Sequence, residues 1–190
     1  IPKVGLGVYY NVGSHDEEWG QKGINAIISL LMENGTEKYS KDKLKKIQNE
    51  FSMFDHFNIN KDMSAFYSEI PIEELEFGLE VESDKMENII IDSKSLEKVK
   101  KQYKVTYDSY HADSFDWRWN NTLTEFLPDN HPYKVDEYGL WNQIDTLSIQ
   151  TCKQFYKQIY APNNAVLVLV GNINLESTTK LVYDYFGENN

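Results

Sequence analysis

The stretch from Gly13 to Tyr39, GSHDEEWGQKGINAIISLLMENGTEKY, has the layout of a metal-binding helix but lacks the residues that bind metals. An acidic loop with several glycines precedes an apolar helix, and a Gly-Thr pair that would end the helix follows it. A metal-binding helix commonly places two histidines at i and i+4 on one face. Residues 23–33 contain no His and no Cys, and their only carboxylate, Glu33, lies at the end of the helix. The helix therefore lacks the side chains that would bind a metal, although the sequence around it is typical of a metal-binding helix.

Other residues that could bind a metal or act as a nucleophile are few and scattered. The histidines are His15, His56, His111 and His131. The best cluster is YDSYHAD, where Asp108 and Asp113 flank His111, but residues spaced in this way do not all share one helix face, so we interpret it as a surface. The acidic loop HDEE at 15–18 is interpreted as solvated. Ser29 would need a base within reach to act as a nucleophile, and because the helix supplies none, we expect a small core-facing serine.

Length, composition and charge describe one domain with a substantial core and exclude several functions. The 190 residues are 41% hydrophobic and 14% aromatic, which excludes a disordered segment despite 26% charged residues. A net charge of −11 argues against a nucleic-acid partner, since a basic surface is missing. The sequence has no apolar run near the ~18 residues of a transmembrane segment. The lone Cys152 cannot form an internal disulfide and is expected at or near the core.

Apolar periodicity and turn signals predict the elements that would position these residues. In the helix at 23–33, four apolar residues recur at i, i+3, i+4 and i+7, the spacing of a buried face. The predicted elements are, in order, a strand at 3–13, helices at 23–33 and 40–54, strands at 56–60 and 63–70, a helix after Pro71, an interrupted helical region at 92–127, a helix at 148–160, a strand at 165–173 and a helix that ends at Gly187. This order predicts an α+β fold in which helices pack on a mostly antiparallel sheet.

Four sequence landmarks, in the same order, resemble one family of zinc metallopeptidases. With the preceding Val12, the Gly13–Tyr39 stretch resembles the signature of the pitrilysin/insulinase/mitochondrial-processing-peptidase family, roughly VGSRDEPxGxxGLAHFLEHMLFKGTxKY. The segments NKDMSAFYSEIPIEELEFGLE, HPYKVDEYG and YAPNNAVLVLVGNINLESTTKLVYDYFG resemble three further motifs of that family. The landmarks span essentially the whole chain. The resemblance implies that residues 1–190 form a single peptidase-like domain, the N-terminal half of a two-domain subunit.

The resemblance also implies that the active centre of the family has been lost. In active members an H-x-x-E-H run supplies two zinc ligands and the general base, and a distant Glu supplies the third ligand. The aligned positions are Ala26, Ser29 and Leu30 on the first helix and, downstream, Ser109, or Asp108 if the register shifts by one residue. We therefore expect no catalytic residues, no metal ligands and no zinc cofactor. In this alignment, Ala26 and Leu30 should face a sheet that contains residues 3–12 and 165–173.

By the same resemblance, peptide substrates pair with an edge of the sheet through main-chain hydrogen bonds. The corresponding stretch, HFNIN, comprises His56, Phe57, Asn58, Ile59 and Asn60. It departs from the family's N-A-x-T, a change that main-chain pairing tolerates. The alternative interpretation is that Phe57 and Ile59 are simply core-facing positions of a strand.

Three functional hypotheses follow for a peptidase-like domain without its active centre. By the resemblance, members of the family consist of two halves that enclose a chamber. The first hypothesis is a noncatalytic homologue that contributes part of the chamber wall and peptide binding to a homologous catalytic subunit or to a second half of the same chain. The second is a stand-alone scaffold or peptide-binding protein. The third is an active zinc endopeptidase with a divergent metal site that the alignment misplaces. The residues leave the compartment undecided, and the resemblance favours the periplasm or an organelle.

Overall fold

The computed structural model describes residues 2–51, 53–112 and 114–187 of the chain. The elements are β1 (Lys3–Tyr10), α1 (Ile24–Glu33), α2 (Lys41–Glu50), β2 (Phe54–Ile59), β3 (Ser64–Pro71), α3 (Leu75–Glu87), α4 (Ser93–His111), α5 (Phe115–Glu125), α6 (Trp141–Thr146), α7 (Ile149–Ile159), β4 (Ala165–Gly171) and α8 (Leu175–Phe186). None of the helices in these ranges combines the length and the hydrophobicity that a bilayer-spanning helix requires.

The strands form one antiparallel sheet in the order β2-β3-β1-β4, so β2 and β4 are its edges within the described residues. Along β1 the residues that pack towards the helices are Val4, Leu6, Val8 and Tyr10, all of them buried. The intervening Gly5, Gly7 and Tyr9 lie on the opposite face, as the two-residue period of a strand requires. The predicted α+β fold with a mostly antiparallel sheet is confirmed.

Helix α1 lies in the centre of the core. The four residues predicted to form its buried face, Ile24, Ile27, Ile28 and Leu31, are fully buried. The helix packs most extensively on α4 and also contacts α7 and β2. Just beyond its end, Gly35 has φ +93°, and a Cβ there would lie 2.2 Å from the carbonyl oxygen of Tyr39. Only glycine therefore fits the turn that follows α1.

The helix predicted at 40–54 ends at Glu50, and Phe54 already belongs to β2. Two further features differ from the predicted elements. The helical region at 92–127 divides into α4 and α5 because the Ser114 side chain accepts a hydrogen bond from the N–H of Trp117 (3.1 Å) and so begins a new helix. The short helix α6 was not predicted. Its Gln143 accepts hydrogen bonds from the N–H groups of Gly20 (3.0 Å) and Lys22 (2.9 Å), which fixes the loop before α1.

Candidate functional site

A cavity of about 330 Å³ lies where α1, the edge strand β2 and α4 meet, and we call it the α1–β2 cavity. Its lining residues are Ala26 and Leu30 of α1, Phe57, Asn58 and Ile59 of β2, Gln102, Tyr103 and Thr106 of α4, and Glu137 and Tyr138 of a later loop. It brings two of the aligned ligand positions together with the predicted edge strand. A larger and more open depression of about 540 Å³ lies on the outer face of the sheet, away from α1.

Ala26 and Leu30 form the α1 wall of the cavity. They are four residues apart and therefore share one helix face. Ala26 is buried and Leu30 is half-buried, so neither points into solvent. The expectation was that they face the sheet that contains β1 and β4. They face that sheet at its β2 edge, where α4 also lines the cavity.

Ser29 lies on the adjacent face of α1 and is absent from the residues that line the α1–β2 cavity. It is fully buried, and its hydroxyl is 3.2 Å from the hydroxyl of Tyr160. Tyr160 in turn donates to Asn25 Oδ1, and the Asn25 amide donates to Ser64 Oγ (2.7 Å). Burial raises the pKa of Tyr160 to about 12, so this phenol stays protonated at neutral pH and is no base for Ser29. The serine is one link of a buried hydrogen-bond chain.

The α4 wall of the cavity is formed by residues other than the aligned ones. Ser109 and Asp108 are exposed, and neither lines the cavity. Gln102 and Thr106, four residues apart, lie there instead. Ser109 lies three residues beyond Thr106 on the same helix and does not line the cavity. The α4 position that accompanies Ala26 and Leu30 in the cavity is therefore Thr106 and not Ser109.

The residues of the cavity do not fit a zinc ion, because the side chains of Ala26 and Leu30 contain no donor atom. Within the described ranges, no three His, Cys, Asp or Glu side chains lie close enough together to hold a metal. The histidines lie elsewhere, with His56 on the outer face of the sheet, His15 and His131 in loops, and His111 at the end of α4. Asp113 of the YDSYHAD cluster lies outside the described residues. Cys152 is buried as expected, and burial raises the pKa of its thiol to about 11.

Glu17 connects the loop before α1 to the start of that helix. Its two carboxylate oxygens accept hydrogen bonds from the N–H groups of Gly23 (2.7 Å) and Asn25 (2.9 Å). Burial raises the pKa of Glu17 to about 7, against the opposing effects of these two N–H groups and of Lys22. The interpretation of HDEE as a solvated loop is therefore wrong for this residue. The sequence contained one signal for this role. Helix α1 has no acidic residue in its first turn, and Glu17 lies shortly before the helix.

The edge strand predicted for HFNIN is present as β2. Residues 56–59 belong to it, and Asn60 lies just beyond its end. The N–H of Asn60 donates to the carbonyl of Met63 (3.0 Å) and so points towards β3. Because antiparallel residues alternate in this respect, Phe57 and Ile59 direct their main-chain N–H and C=O groups towards the open edge. Their side chains line the cavity, and Phe57 is 36% exposed.

Sequence comparison relates the chain to known peptidases. The family model described as "Insulinase (Peptidase family M16)" matches residues 1–131, and the one described as "Peptidase M16 inactive domain" matches residues 146–190. The zinc protease PqqE of Helicobacter pylori is 22% identical over 183 residues, which cover 94% of this chain and 40% of PqqE. The probable zinc protease PqqL of Escherichia coli is 23% identical over 195 residues, which cover 96% of this chain and 20% of PqqL.

Solved structures share the fold. A crystal structure of a protease from Helicobacter pylori matches with a TM-score of 0.92 and 19% identity, covering 100% of this chain and 46% of that one. A peptidase M16 inactive domain from Pseudomonas fluorescens matches with a TM-score of 0.86 and 16% identity, covering 98% of this chain and 45% of that one. The chain thus spans less than half the length of these relatives.

Proposed function

Because the chain belongs to the insulinase family of peptidases (peptidase family M16), we propose that it is a noncatalytic member that contributes chamber wall and peptide binding to a catalytic partner. One observation carries the proposal. Where the family signature has its two histidines, Ala26 and Leu30 present only hydrocarbon to a cavity beside an open sheet edge. A site without ligand atoms cannot hold the zinc that would activate water for hydrolysis. The cavity and the sheet edge beside it suit the binding of a peptide.

The open edge of β2 supports this binding role. An edge strand presents main-chain groups without a partner strand, and an extended peptide adds to such an edge by forming the missing hydrogen bonds. At Phe57 and Ile59 these groups are directed away from β3. Among the described residues β4 is the other edge of the sheet, but β2 is the edge that borders the cavity. We therefore assign peptide binding to β2.

We propose that the partner is a homologous catalytic subunit or the second half of a longer chain. The chain covers 40% and 20% of its two curated relatives, which supports a role as part of a larger peptidase. Residues 1–190 would then be the N-terminal half of a two-domain subunit. Native co-purification tests this proposal, and the expected companion carries an H-x-x-E-H motif. A protein that purifies alone with full peptide affinity would favour a stand-alone binding protein.

A pair of substitutions at Phe57 separates main-chain from side-chain binding. Phe57→Pro removes an N–H that faces the open edge, a position at which strands tolerate proline. Phe57→Ala shortens the side chain and keeps the N–H. In fluorescence anisotropy titrations with an extended peptide, we expect Phe57→Pro to weaken binding by about tenfold or more and Phe57→Ala to weaken it less. Equal affinities of the two variants would contradict strand addition.

The same peptides should remain intact when the purified protein is incubated with them and the mixture is analysed by mass spectrometry. Chelator-sensitive cleavage by a homogeneous preparation would contradict the proposal. It would favour an active peptidase whose metal ligands lie outside the aligned positions.

A further inference from the structure

We infer that the α1–β2 cavity is a specificity pocket for one aliphatic side chain of a basic peptide that lies along β2, an inference that rests on the peptide binding proposed above. In this assignment, the space between α1 and α4 recognises a side chain of the bound peptide. Three observations carry the inference: the direction of the β2 main chain, the chemistry of the cavity wall and the net charge of the whole chain.

The β2 main chain would direct alternate side chains of a bound peptide at the cavity. A peptide that pairs with the outward N–H and C=O groups of Phe57 and Ile59 forms a further strand next to β2. Side chains on neighbouring strands alternate in step across a sheet, so every second peptide residue lies on the face that carries the side chains of Phe57 and Ile59. That face is the one that borders the cavity. At about 330 Å³, the cavity is at the lower end of the sizes of ligand pockets and accommodates one large side chain.

The most buried part of the cavity wall is hydrocarbon. Ala26 is buried, Leu30 and Ile59 are half-buried, and none of the three has a polar side chain. The hydroxyl of Tyr103 already donates to the carbonyl of Tyr138 (3.1 Å). An aliphatic ligand side chain would gain burial here without losing hydrogen bonds. A charged or amide side chain would lose its hydration without replacement.

The net charge of the whole chain favours particular residues on either side of this aliphatic side chain. Glu137 is the only charged residue among the described residues that line the cavity. Its carboxylate lies 3.7 Å from Lys61 Nζ, so nearby charge is partly balanced, but the chain as a whole carries a net charge of −11. A field of this sign attracts cationic ligands and repels anionic ones. The ligand class is therefore an extended peptide in which Lys or Arg flanks an aliphatic residue.

The test uses a set of host peptides, Lys-Ser-Thr-Ser-Thr-Ser-Lys, in which Leu replaces one inner residue at a time. We expect Leu at one position to tighten binding about tenfold over the host peptide, and Glu at that position to weaken it. Thr106→Phe changes an exposed lining residue and should fill the cavity. It should abolish the gain from Leu. Ser109→Phe, at an exposed residue of the same helix that does not line the cavity, is the matched control and should keep the gain.

Gln102→Phe, a second change of an exposed lining residue, replaces Thr106→Phe if circular dichroism shows that the latter is misfolded. A gain from Leu at no position, with binding of the host peptide still abolished by Phe57→Pro, would overturn the pocket and leave the proposed function standing. A gain that persists in both cavity-filling variants would also overturn the pocket. Host-peptide binding that does not respond to Phe57→Pro would overturn the proposed function itself.

Discussion

At the scale of single residues, the chemistry of the site region is concentrated in one buried carboxylate rather than in the aligned ligand positions. Glu17 binds two N–H groups at the start of α1, and Ala26 and Leu30 contribute only hydrocarbon to the cavity. The carboxylate is stabilised by those N–H groups and destabilised by burial, and burial is the larger effect. The same residue thus positions α1 and makes the stability of the protein depend on pH.

We predict that Glu17 makes the protein less stable as the pH rises from 5.5 to 7.5. Its pKa is about 7 in the folded protein and 4.5 as the reference value, so the folded state holds the proton more tightly. Its contribution to the free energy of unfolding is therefore full below about pH 4.5 and is lost as the pH rises to about 7. Over the measured interval the loss is about 2 kcal/mol. Urea denaturation of the wild type and of Glu17→Gln at both pH values measures it.

The variant Glu17→Gln should lack this part of the pH dependence. Glu18→Gln is the matched control, because it removes the same charge from an exposed neighbour. It should retain the pH dependence of the wild type, including the part due to general charge repulsion. Identical pH profiles of the wild type and Glu17→Gln would contradict the assignment.

At the scale of elements, the relation between α1 and α4 decides which residues can act together. Helical spacing alone places Ala26 and Leu30 on one helix face. Which α4 residue lies opposite them across the cavity depends on how α4 packs against α1. The structure selects Thr106 rather than Ser109 because Gln102 and Thr106 line the cavity and Ser109 does not. This difference of three residues is large enough to determine whether a metal site could be rebuilt.

We predict that Ala26→His, Leu30→His and Thr106→Glu together create a zinc site. The two histidines would share one helix face, and the glutamate would face them across the cavity, the His₂Glu arrangement of zinc peptidases. Isothermal titration calorimetry should show binding of one zinc ion, and zinc should raise the thermal midpoint of unfolding. The matched variant carries Ser109→Glu in place of Thr106→Glu and should bind zinc on the order of tenfold or more weakly. Equal zinc affinity of the two variants would contradict the α4 register.

At the scale of the whole molecule, two apolar surfaces lack a covering element among the described residues. On β4, Val166 and Val170 are 62% and 67% exposed on the outer face of the sheet. The second surface is a stripe along and just beyond α5, formed by Phe115, Trp119, Leu123 and Phe126, all exposed. Contiguous apolar surface of this kind commonly marks an interface. Both surfaces are therefore candidates for contact with the partner proposed above.

We predict that the isolated chain self-associates through the outer face of the sheet. In sedimentation velocity, the wild type should sediment faster as its concentration rises. The double substitution Val166→Lys and Val170→Lys should return it to a concentration-independent monomer, because charges on an edge strand oppose pairing. Trp119→Lys with Leu123→Lys is the matched control on α5 and should still associate. Association that persists in the β4 variant and is lost in the α5 variant would place the interface on α5. A wild type whose sedimentation does not depend on concentration would exclude both surfaces as self-association interfaces.

The sequence by itself determined those features that depend on local spacing. The buried face of α1 was predicted from four apolar residues at helical intervals, and a strand was predicted at HFNIN from its residues, while its place at the edge of the sheet was implied only by the family resemblance. Periodicity and turn residues act over a few positions, so they are readable without knowledge of distant contacts. The absence of donor atoms at Ala26 and Leu30 was readable in the same way, because it concerns residue type alone.

Only the tertiary structure decided how distant segments meet. The loop before α1 is held by Gln143, and Ser29 is bound to Tyr160, in each case across more than half of the chain. The choice of Thr106 over Ser109 follows from which part of α4 packs beside the cavity. Burial of Glu17 follows from the same packing. These features depend on how whole elements pack, which residue type and local spacing do not specify.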